Sequence, residues 1–279
     1  MPENQFDLII IGAGPGGYVA AIRATQLGMK VAVVEKRGTL GGVCLNEGCI
    51  PSKALLDSSE LFALARDKFA LHGIDIEPPS LNLKAMMGRK DDVVKKLTDG
   101  IAYLFKKNKI VHFNATARLL GQNAAGLHQV ALSSQEMEQQ TLSATRLLLA
   151  TGSEAVALPG IPFDGNTVVS AREALSFDHL PQHLVVAGGG YIGLEMGSVW
   201  RRLGAEVTVI EMLPGILPNM DRLAADTLYR SLRKQGIRFK LDTRITGVRQ
   251  EDTGAIVQCV SGTEQEEISC DRLLVAVQS

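Results

Sequence analysis

The 279-residue sequence predicts an α/β fold, because it contains two similar βαβ units, each with a glycine-rich turn after an apolar strand. The first unit runs from residue 6 to 35 as FDLIIIGAGPGGYVAAIRATQLGMKVAVVE, and the second from 183 to 211 as HLVVAGGGYIGLEMGSVWRRLGAEVTVIE. The two align at a constant offset of 176 positions, the separation of Gly12 and Gly188. This internal repeat favours two domains of the same type.

Each unit is predicted to form a strand, a turn, a helix and a second strand. The helix ends at Gly28 in the first copy and at Gly204 in the second. The second strand ends at Glu35 or Glu211, in each case 23 residues after the first glycine of the turn. A GxGxxG turn followed by an acid at this distance is typical of Rossmann-like dinucleotide-binding domains.

The glycines of such a turn have separate roles. The first makes the tight turn, the second lets the backbone approach a pyrophosphate, and the third lets helix and strand pack closely, while the acid accepts hydrogen bonds from a ribose. A single GxGxxG could serve tight packing alone, but two copies with matching acids favour two dinucleotide sites. The predicted cofactor-binding residues are Gly12, Gly14, Gly17 and Glu35 in the first copy and Gly188, Gly190, Gly193 and Glu211 in the second.

The remaining sequence predicts helices over residues 51–70 and 82–108, the second with a lysine-rich face typical of a solvated surface. Short strands are predicted between Ile110 and Ala150. Pro159 and Pro162 then mark a linker. We place the domain boundary near residue 155, which gives a first domain over 1–155 and a second over 156–279.

The composition favours a globular protein that acts on small molecules. Hydrophobic residues make up 46% and charged residues 21% of the chain. The net charge of −1 and the aromatic content of 5% argue against nucleic acid or an anionic membrane as a partner. No apolar run approaches the roughly 18 residues of a membrane span, and no signal peptide is recognised. The expected location is cytoplasmic.

A cysteine pair lies in the stretch LGGVCLNEGCIPSKALL, residues 40–56. Cys44 follows Glu35 by nine residues, so the chain leaves the first βαβ unit directly into the pair. Structural disulfides are uncommon in the cytoplasm, which favours a redox pair beside a cofactor. Pro51 suits the first turn of a helix, so Cys49 is expected near a helix N-terminus, where the dipole and a cation such as Lys53 would stabilise a thiolate.

Other uses of the cysteines are disfavoured. Cys44 and Cys49 have no second ligand pair, and the five histidines show no metal-type spacing, so no metal site is predicted. Cys259 and Cys270 lie in apolar or strand-like surroundings and are expected to be small buried side chains.

The motifs GAGPGGYVAA, GGVCLNEGCIPSKALL, LLLATGS and GGGYIGLEMGSVWRRLGAEVTVIE together resemble the flavin-dependent pyridine-nucleotide disulfide oxidoreductases over essentially the whole chain. The PSKALL ending resembles the members that oxidise dihydrolipoamide better than those that reduce glutathione, which have a second lysine where Ser52 stands. The resemblance implies that the first site holds FAD. It also implies electron transfer from dihydrolipoamide through Cys44 and Cys49 and FAD to NAD⁺.

The resemblance implies a role for each matching residue. Cys44 would be the thiol that exchanges with the substrate, and Cys49 the thiol in charge-transfer contact with FAD. Lys53 would lie near flavin N5, with Glu195 as its ion-pair partner, and both are predicted as catalytic residues. Thr151 and Gly152, in the ATGS turn, would line the FAD site. The implied partner is a lipoamide-bearing acyltransferase of a 2-oxoacid dehydrogenase complex.

Glu211 favours NAD over NADP, because a carboxylate accepts from a 2′-hydroxyl and repels a 2′-phosphate, and residues 212–221 contain no Arg or Lys. Tyr191 either covers the nicotinamide pocket or packs against its helix, and both alternatives stay open.

Members of the resembled family continue past this length into a returning FAD segment and a C-terminal dimerisation domain that supplies a His–Glu acid–base pair. The chain stops soon after DRLLVAV, at Gln278 and Ser279. We therefore expect a truncated form without the dimer domain, with impaired flavin binding and turnover. Two alternatives remain, namely another disulfide reductase with a glutathione-like substrate and a non-catalytic dinucleotide-binding remnant.

Overall fold

The computed structural model describes residues 4–134 and 140–277. Gln278 and Ser279 lie outside the described residues. The chain forms two compact units, one of Met1–Pro51 with Asp91–Ser153 and the other of Ser52–Lys90 with Glu154–Ser279.

The first unit is built on a six-stranded sheet in the order β3-β2-β1-β6-β5-β4. Strands β3, β2, β1 and β6 are parallel, whereas β4, β5 and β6 pair as an antiparallel meander. The strands are β1 (Gln5–Ile11), β2 (Val31–Glu35), β3 (Val111–Asn114), β4 (Thr116–Gln122), β5 (His128–Ser133) and β6 (Gln140–Leu149). The helices are α1 (Pro15–Gln26), α2 (Gly42–Glu47), and parts of α3 (Cys49–Asp67) and α4 (Leu83–Lys107).

Both faces of the first unit's sheet are covered, which explains the nearly continuous apolar strand LIII. Ile9 packs on one face with Leu142, and Ile10 packs on the other with Val33 and Ala21 of α1. All five of these side chains are buried. Strand β1 is therefore fixed at the centre of the unit.

The second unit has a parallel five-stranded sheet in the order β10-β9-β8-β14-β7 and an antiparallel sheet of β11, β12 and β13. The strands are β7 (Val168–Val169), β8 (His183–Ala187), β9 (Glu206–Ile210), β10 (Arg238–Lys240), β11 (Arg244–Glu251), β12 (Gly254–Ser261), β13 (Glu264–Cys270) and β14 (Arg272–Val275). Its own helices are α5 (Ala171–Ala174), α6 (Tyr191–Leu203) and α7 (Arg222–Lys234). Trp200 of α6 is fully buried, and its indole Nε1 donates to the carbonyl of Ala174 at 3.1 Å.

The sequence repeat is also a repeat of structure. The Gly12 amide donates to the Val34 carbonyl at 2.8 Å, and the equivalent Gly188 amide donates to Ile210 at 2.9 Å. In each unit the glycine turn follows a central strand, between the second strand of the repeat and a strand from later in the chain. Ligands of open α/β sheets bind at such a topological switch point. The predicted fold of two Rossmann-like units is confirmed.

The segment Ser52–Lys90 belongs to the second compact unit, although the sequence boundary near residue 155 assigns it to the first domain. Leu55, Phe62 and Met86 from this segment pack into the core that contains Trp200. The helices predicted over 51–70 and 82–108 are confirmed as α3 and α4, but their periodicity could not indicate which core they would join. Further along the chain, the boundary between the two compact units falls between Ser153 and Glu154.

Candidate functional site

Two glycines of the first turn are required by the fold itself. Gly12 has a φ of +100°, and a Cβ on it would lie 2.1 Å from the carbonyl oxygen of Ala150. A Cβ on Gly17 would lie 1.8 Å from the carbonyl oxygen of Gly12. The predicted FAD-site residues Thr151 and Gly152 follow Ala150, so they lie beside this turn. The turn therefore closes tightly against the end of β6.

Gly14 is different, because nothing in the polypeptide requires a glycine there. Its φ of −71° and ψ of −176° are open to any residue, and the nearest atom to a Cβ would be Gly42 Cα at an ordinary 3.8 Å. Gly190, its counterpart, has a φ of −77° and no atom within 4 Å of a Cβ. Both are N-caps at the start of a long helix, where an added methyl group would meet no close contact. The two turns thus keep the cradle that a pyrophosphate needs.

The two predicted acids hold these turns together. Glu35 Oε2 accepts from the Ala13 amide at 2.9 Å, and Oε1 accepts from the Arg37 amide at 2.9 Å. Glu211 repeats the pattern with the amides of Gly189 at 2.6 Å and Leu213 at 2.8 Å. Both side chains are 7% exposed. A carboxylate has about four lone-pair sites, so each retains acceptor capacity for a ribose.

The segment that leads into the cysteines lies directly on the first turn. The Gly41 amide donates to the Ala13 carbonyl at 2.9 Å. Gly42 has a φ of +59°, and a Cβ on it would lie 2.6 Å from Gly14 Cα. No larger residue fits between the two backbones, so α2 and its Cys44 begin at the dinucleotide turn.

A tight connection joins the two cysteine helices. Gly48 ends α2, and a Cβ on it would lie 3.0 Å from the Val43 carbonyl oxygen and 3.3 Å from Cys44 Cα. The next residue, Cys49, is the first residue of α3 and is exposed, while Cys44 is half-buried. The predicted place of Cys49 at a helix N-terminus is confirmed.

Asn46, between the cysteines, makes hydrogen bonds that no sequence motif predicts. Its side-chain amide nitrogen donates to the carbonyls of Leu40 at 3.1 Å and Gly42 at 2.8 Å, and its Oδ1 accepts from Thr39 Oγ1 at 2.8 Å. Two of its partners are main-chain carbonyls, which every residue has, so no residue pattern in the sequence indicates these bonds. The only signal was its position inside the cysteine motif.

The second unit contains the predicted ion pair. Lys53 Nζ lies 2.7 Å from Glu195 Oε1 and 3.0 Å from Oε2. Ser52 Oγ also donates to Glu195 Oε2 at 3.0 Å. The ion pair is therefore present, while the proposed roles of Lys53 and Glu195 at a flavin stay a prediction.

Tyr191 follows Gly190 as the first residue of α6 and is 56% exposed. More than half of Tyr191 is therefore exposed, and its packing against the helix stays an open alternative. A cover for the nicotinamide remains a prediction.

Cys259 and Cys270 are buried, as predicted. Burial raises the pKa of Cys270 to about 12, and it also raises the pKa of Cys259, with the Glu266 charge adding to that shift. We expect only Cys44 and Cys49 of the reduced native protein to be alkylated rapidly at pH 8, because the thiolate is the nucleophile. Peptide mapping after a short iodoacetamide pulse checks this, with denatured protein as the control in which all four cysteines react. Rapid labelling of Cys270 in the native protein would contradict it.

Within residues 4–134 and 140–277, no group of three or more His, Cys, Asp or Glu side chains could hold a metal ion. The helices of this described portion also include none that is both long enough and apolar enough to cross a bilayer.

A family model described as pyridine nucleotide-disulphide oxidoreductase matches residues 6–277. The chain belongs to this family. Its members use FAD and a nicotinamide dinucleotide, and the two turns with open central glycines fit these cofactors.

Several relatives are dihydrolipoyl dehydrogenases. The chain is 49% identical to dihydrolipoyl dehydrogenase 3 of Pseudomonas aeruginosa over 98% of its length and 58% of that protein. It is 47% identical to the mitochondrial dihydrolipoyl dehydrogenase of Bos taurus over 97% of its length and 53% of that protein. A leghemoglobin reductase of Glycine max is 46% identical over 98% of the chain and 52% of that protein. The chain thus spans about half the length of these curated relatives.

Solved structures give the same fold. The crystal structure of LpdA from Mycobacterium tuberculosis matches 97% of the chain and 58% of that protein, with a TM-score of 0.86 and 25% identity. The copper complex of the flavoprotein disulfide reductase RclA from Escherichia coli matches 99% of the chain and 57% of that protein, with a TM-score of 0.80 and 26% identity.

Proposed function

We propose that this chain provides the dinucleotide sites and the redox-active cysteines of an NAD-linked dihydrolipoyl dehydrogenase. The observation that carries the proposal is the contact of Gly41 and Gly42 with the first glycine turn, which leaves Cys44 and Cys49 next to a dinucleotide site. The identities of 46–49% to dihydrolipoyl dehydrogenases and a leghemoglobin reductase support this branch of the family.

FAD would be held in the first unit by Gly12, Gly14, Gly17 and Glu35, with Thr151 and Gly152 beside the turn. When bound, FAD supplies two-electron exchange between the cysteine pair and the nicotinamide. The amides at the start of α1 would hold its pyrophosphate, and the remaining lone pairs of Glu35 would accept from a ribose hydroxyl. The role of Lys53 and Glu195 at a flavin rests on the family resemblance and stays a prediction.

The cysteines would exchange with the substrate dithiol. A thiolate of dihydrolipoamide attacks the sulfur of Cys44 in the Cys44–Cys49 disulfide, and the S–S bond breaks with its electron pair on Cys49. The second substrate thiol then displaces Cys44, so that lipoamide leaves as a cyclic disulfide and both cysteines are reduced. Cys49 at the N-terminus of α3 is placed for the thiolate that this step produces, because the helix dipole favours negative charge there.

Glu211 supports NAD as the second dinucleotide, and its two backbone bonds sharpen the prediction for a variant. Glu211→Gln replaces one carboxylate oxygen by an NH₂ group that faces a backbone N–H, so a charged hydrogen bond is lost. We expect a loss of about 1.5–3 kcal/mol in the free energy of unfolding, together with weaker NAD binding and less discrimination against NADP. Denaturant unfolding and calorimetric titration with NAD and NADP check this.

Glu206→Gln is the matched control, because Glu206 begins β9, the strand that Glu211 directly follows, but is exposed and pairs with Arg238 at 2.8 Å. A surface ion pair contributes at most about 1 kcal/mol, so this variant should keep both stability and NAD affinity. Equal effects of the two substitutions would show that Glu211 has no special role at the turn.

Thiol counting after anaerobic reaction tests the substrate. Protein with its cysteine pair oxidised is mixed with dihydrolipoamide or glutathione at matched thiol concentration, and new thiols are alkylated and mapped. Reduction of Cys44 and Cys49 by dihydrolipoamide at least about tenfold faster than by glutathione supports the proposal. Faster reduction by glutathione would favour a disulfide reductase with a glutathione-like substrate. A cysteine pair that neither thiol reduces would favour a non-catalytic dinucleotide-binding remnant. The implied partner, a lipoamide-bearing acyltransferase of a 2-oxoacid dehydrogenase complex, would present the same dithiol.

A further inference from the structure

We propose that Asn46 is a positioning residue that couples the Cys44–Cys49 pair to the first dinucleotide turn. The inference rests on the proposed function, because it assumes that this pair forms a disulfide and that the turn binds FAD. It adds a residue whose side chain holds the helix that carries Cys44.

The side chain of Asn46 connects α2 to the loop that precedes this helix. Asn46 lies on α2, and its side chain bonds to Thr39 and Leu40 of the loop before that helix and to Gly42, the first residue of α2 itself. Both amide hydrogens and one oxygen lone pair are used, so the orientation of the amide is defined by two carbonyl acceptors and one hydroxyl donor. Asn46 thus clamps α2 onto the loop that precedes it.

The loop before α2 lies against the first dinucleotide turn. Its Gly41 amide bonds to Ala13, and Gly42 leaves no space for a Cβ against Gly14. Gly14 is the position that the fold leaves open for a pyrophosphate. The clamp therefore joins, through one short loop, the dinucleotide turn to the helix that carries Cys44.

The helix that carries Cys44, α2, is short. A helix of six residues has little stability of its own, so its position depends on side-chain contacts. Besides Asn46, α2 is held by an ion pair in which Arg37 Nη1 lies 2.8 Å from Glu47 Oε1. Both partners of this pair are partly exposed, and solvent screening weakens such an ion pair. Asn46 makes two hydrogen bonds to the loop and one within α2, and we infer that it is the stronger of these two restraints on the helix that carries Cys44.

Asn46→Asp is the sharpest test, because it keeps the shape of the side chain. It removes two N–H donors and directs a carboxylate oxygen at the carbonyls of Leu40 and Gly42. The loss of these two hydrogen bonds is expected to lower, by about tenfold, each equilibrium constant that depends on the clamp. Asn108→Asp is the matched control, since the half-buried Asn108 donates its amide to the Leu104 carbonyl at 2.8 Å in the same compact unit, away from the cysteines.

The first measurement is the thiol–disulfide equilibrium of the cofactor-depleted protein in glutathione buffers. One glutathione disulfide oxidises the two cysteines and yields two glutathione molecules, and the oxidised fraction is read by alkylation and mass. Asn46→Asp should lower the equilibrium constant for disulfide formation about tenfold, a change of about 30 mV, because a mobile Cys44 meets Cys49 less often. Asn108→Asp should leave this equilibrium within twofold of the wild type.

The second measurement is FAD binding by fluorescence titration, where Asn46→Asp should weaken affinity about tenfold and Asn108→Asp should not. An Asn46→Asp protein with wild-type values in both measurements would overturn the coupling. If that variant does not fold by circular dichroism, Thr39→Val, which removes only the hydroxyl donor to Oδ1, should shift both equilibria in the same direction by a smaller factor, and no shift would overturn it. A wild-type chain that forms no Cys44–Cys49 disulfide and binds no FAD would instead show failure of the proposed function.

Discussion

A Gly14→Ala protein is expected to fold normally and to lose FAD affinity by about 100-fold or more, whereas Gly12→Ala is expected to damage the fold itself. At Gly14 an added methyl group meets no atom closer than 3.8 Å, and the φ of −71° suits alanine. Its stability should therefore stay within about 1 kcal/mol of the wild type. The methyl group instead occupies the space in which a pyrophosphate approaches the backbone.

At Gly12 the same methyl group would lie 2.1 Å from a carbonyl oxygen, in a backbone with a φ of +100°. We expect a loss of about 3–5 kcal/mol in the free energy of unfolding, because strain and overlap act together. Gly126→Ala is the matched control for strain alone, since Gly126 has a φ of +73° and no atom within 4 Å of a Cβ. It should cost about 1–2 kcal/mol.

Denaturant unfolding and FAD titration of the three variants separate these effects. Gly190→Ala adds a test in the second unit, where it should weaken NAD binding and leave FAD binding unchanged. Retention of FAD affinity in folded Gly14→Ala would contradict the assignment of the first turn as the FAD site. Loss of both FAD binding and NAD binding in Gly190→Ala would contradict the assignment of the two cofactors to independent sites.

The second large effect concerns the cysteines. Cys49→Ser should abolish the long-wavelength absorbance that a thiolate beside FAD produces, while Cys44→Ser should keep or enhance it. Cys49 is the first residue of α3, and the family resemblance assigns it the flavin contact. Cys44, inside α2 and half-buried, is assigned the exchange with substrate.

Spectra of the two variants loaded with FAD at equal occupancy check this prediction. Cys259→Ser is the control, since a buried thiol with a raised pKa contributes no thiolate at neutral pH. A band that survives in Cys49→Ser and is lost in Cys44→Ser would exchange the roles of the two cysteines.

Much of the fold was predictable from the sequence because its signals are periodic or repeated. The two βαβ copies, the ends of α3 and α4 within about three residues, and the burial of Cys259 and Cys270 all follow from residue patterns. The ion pair between Lys53 and Glu195 was predicted from resemblance, since 142 residues separate the partners.

Other features left no pattern to read. Leu55 and Phe62 are apolar on a helix, but periodicity does not say which core buries them, so the sequence boundary places Ser52–Lys90 in the first domain whereas it lies in the second compact unit. Glu35 and Asn46 bind main-chain amides or carbonyls, which every residue possesses. The different needs for glycine at Gly12 and Gly14 become visible only when the distances around each Cα are known.

The most direct measurement is an anaerobic visible spectrum of the protein with saturating FAD during titration with dihydrolipoamide. Transfer of electrons through the Cys44–Cys49 pair predicts growth of the long-wavelength band as the pair is reduced, and its disappearance when Cys49 is replaced by serine. An unchanged flavin spectrum, with the dithiol still reduced and the Cys44–Cys49 disulfide intact, would contradict the proposal that this chain holds a flavin-linked disulfide centre.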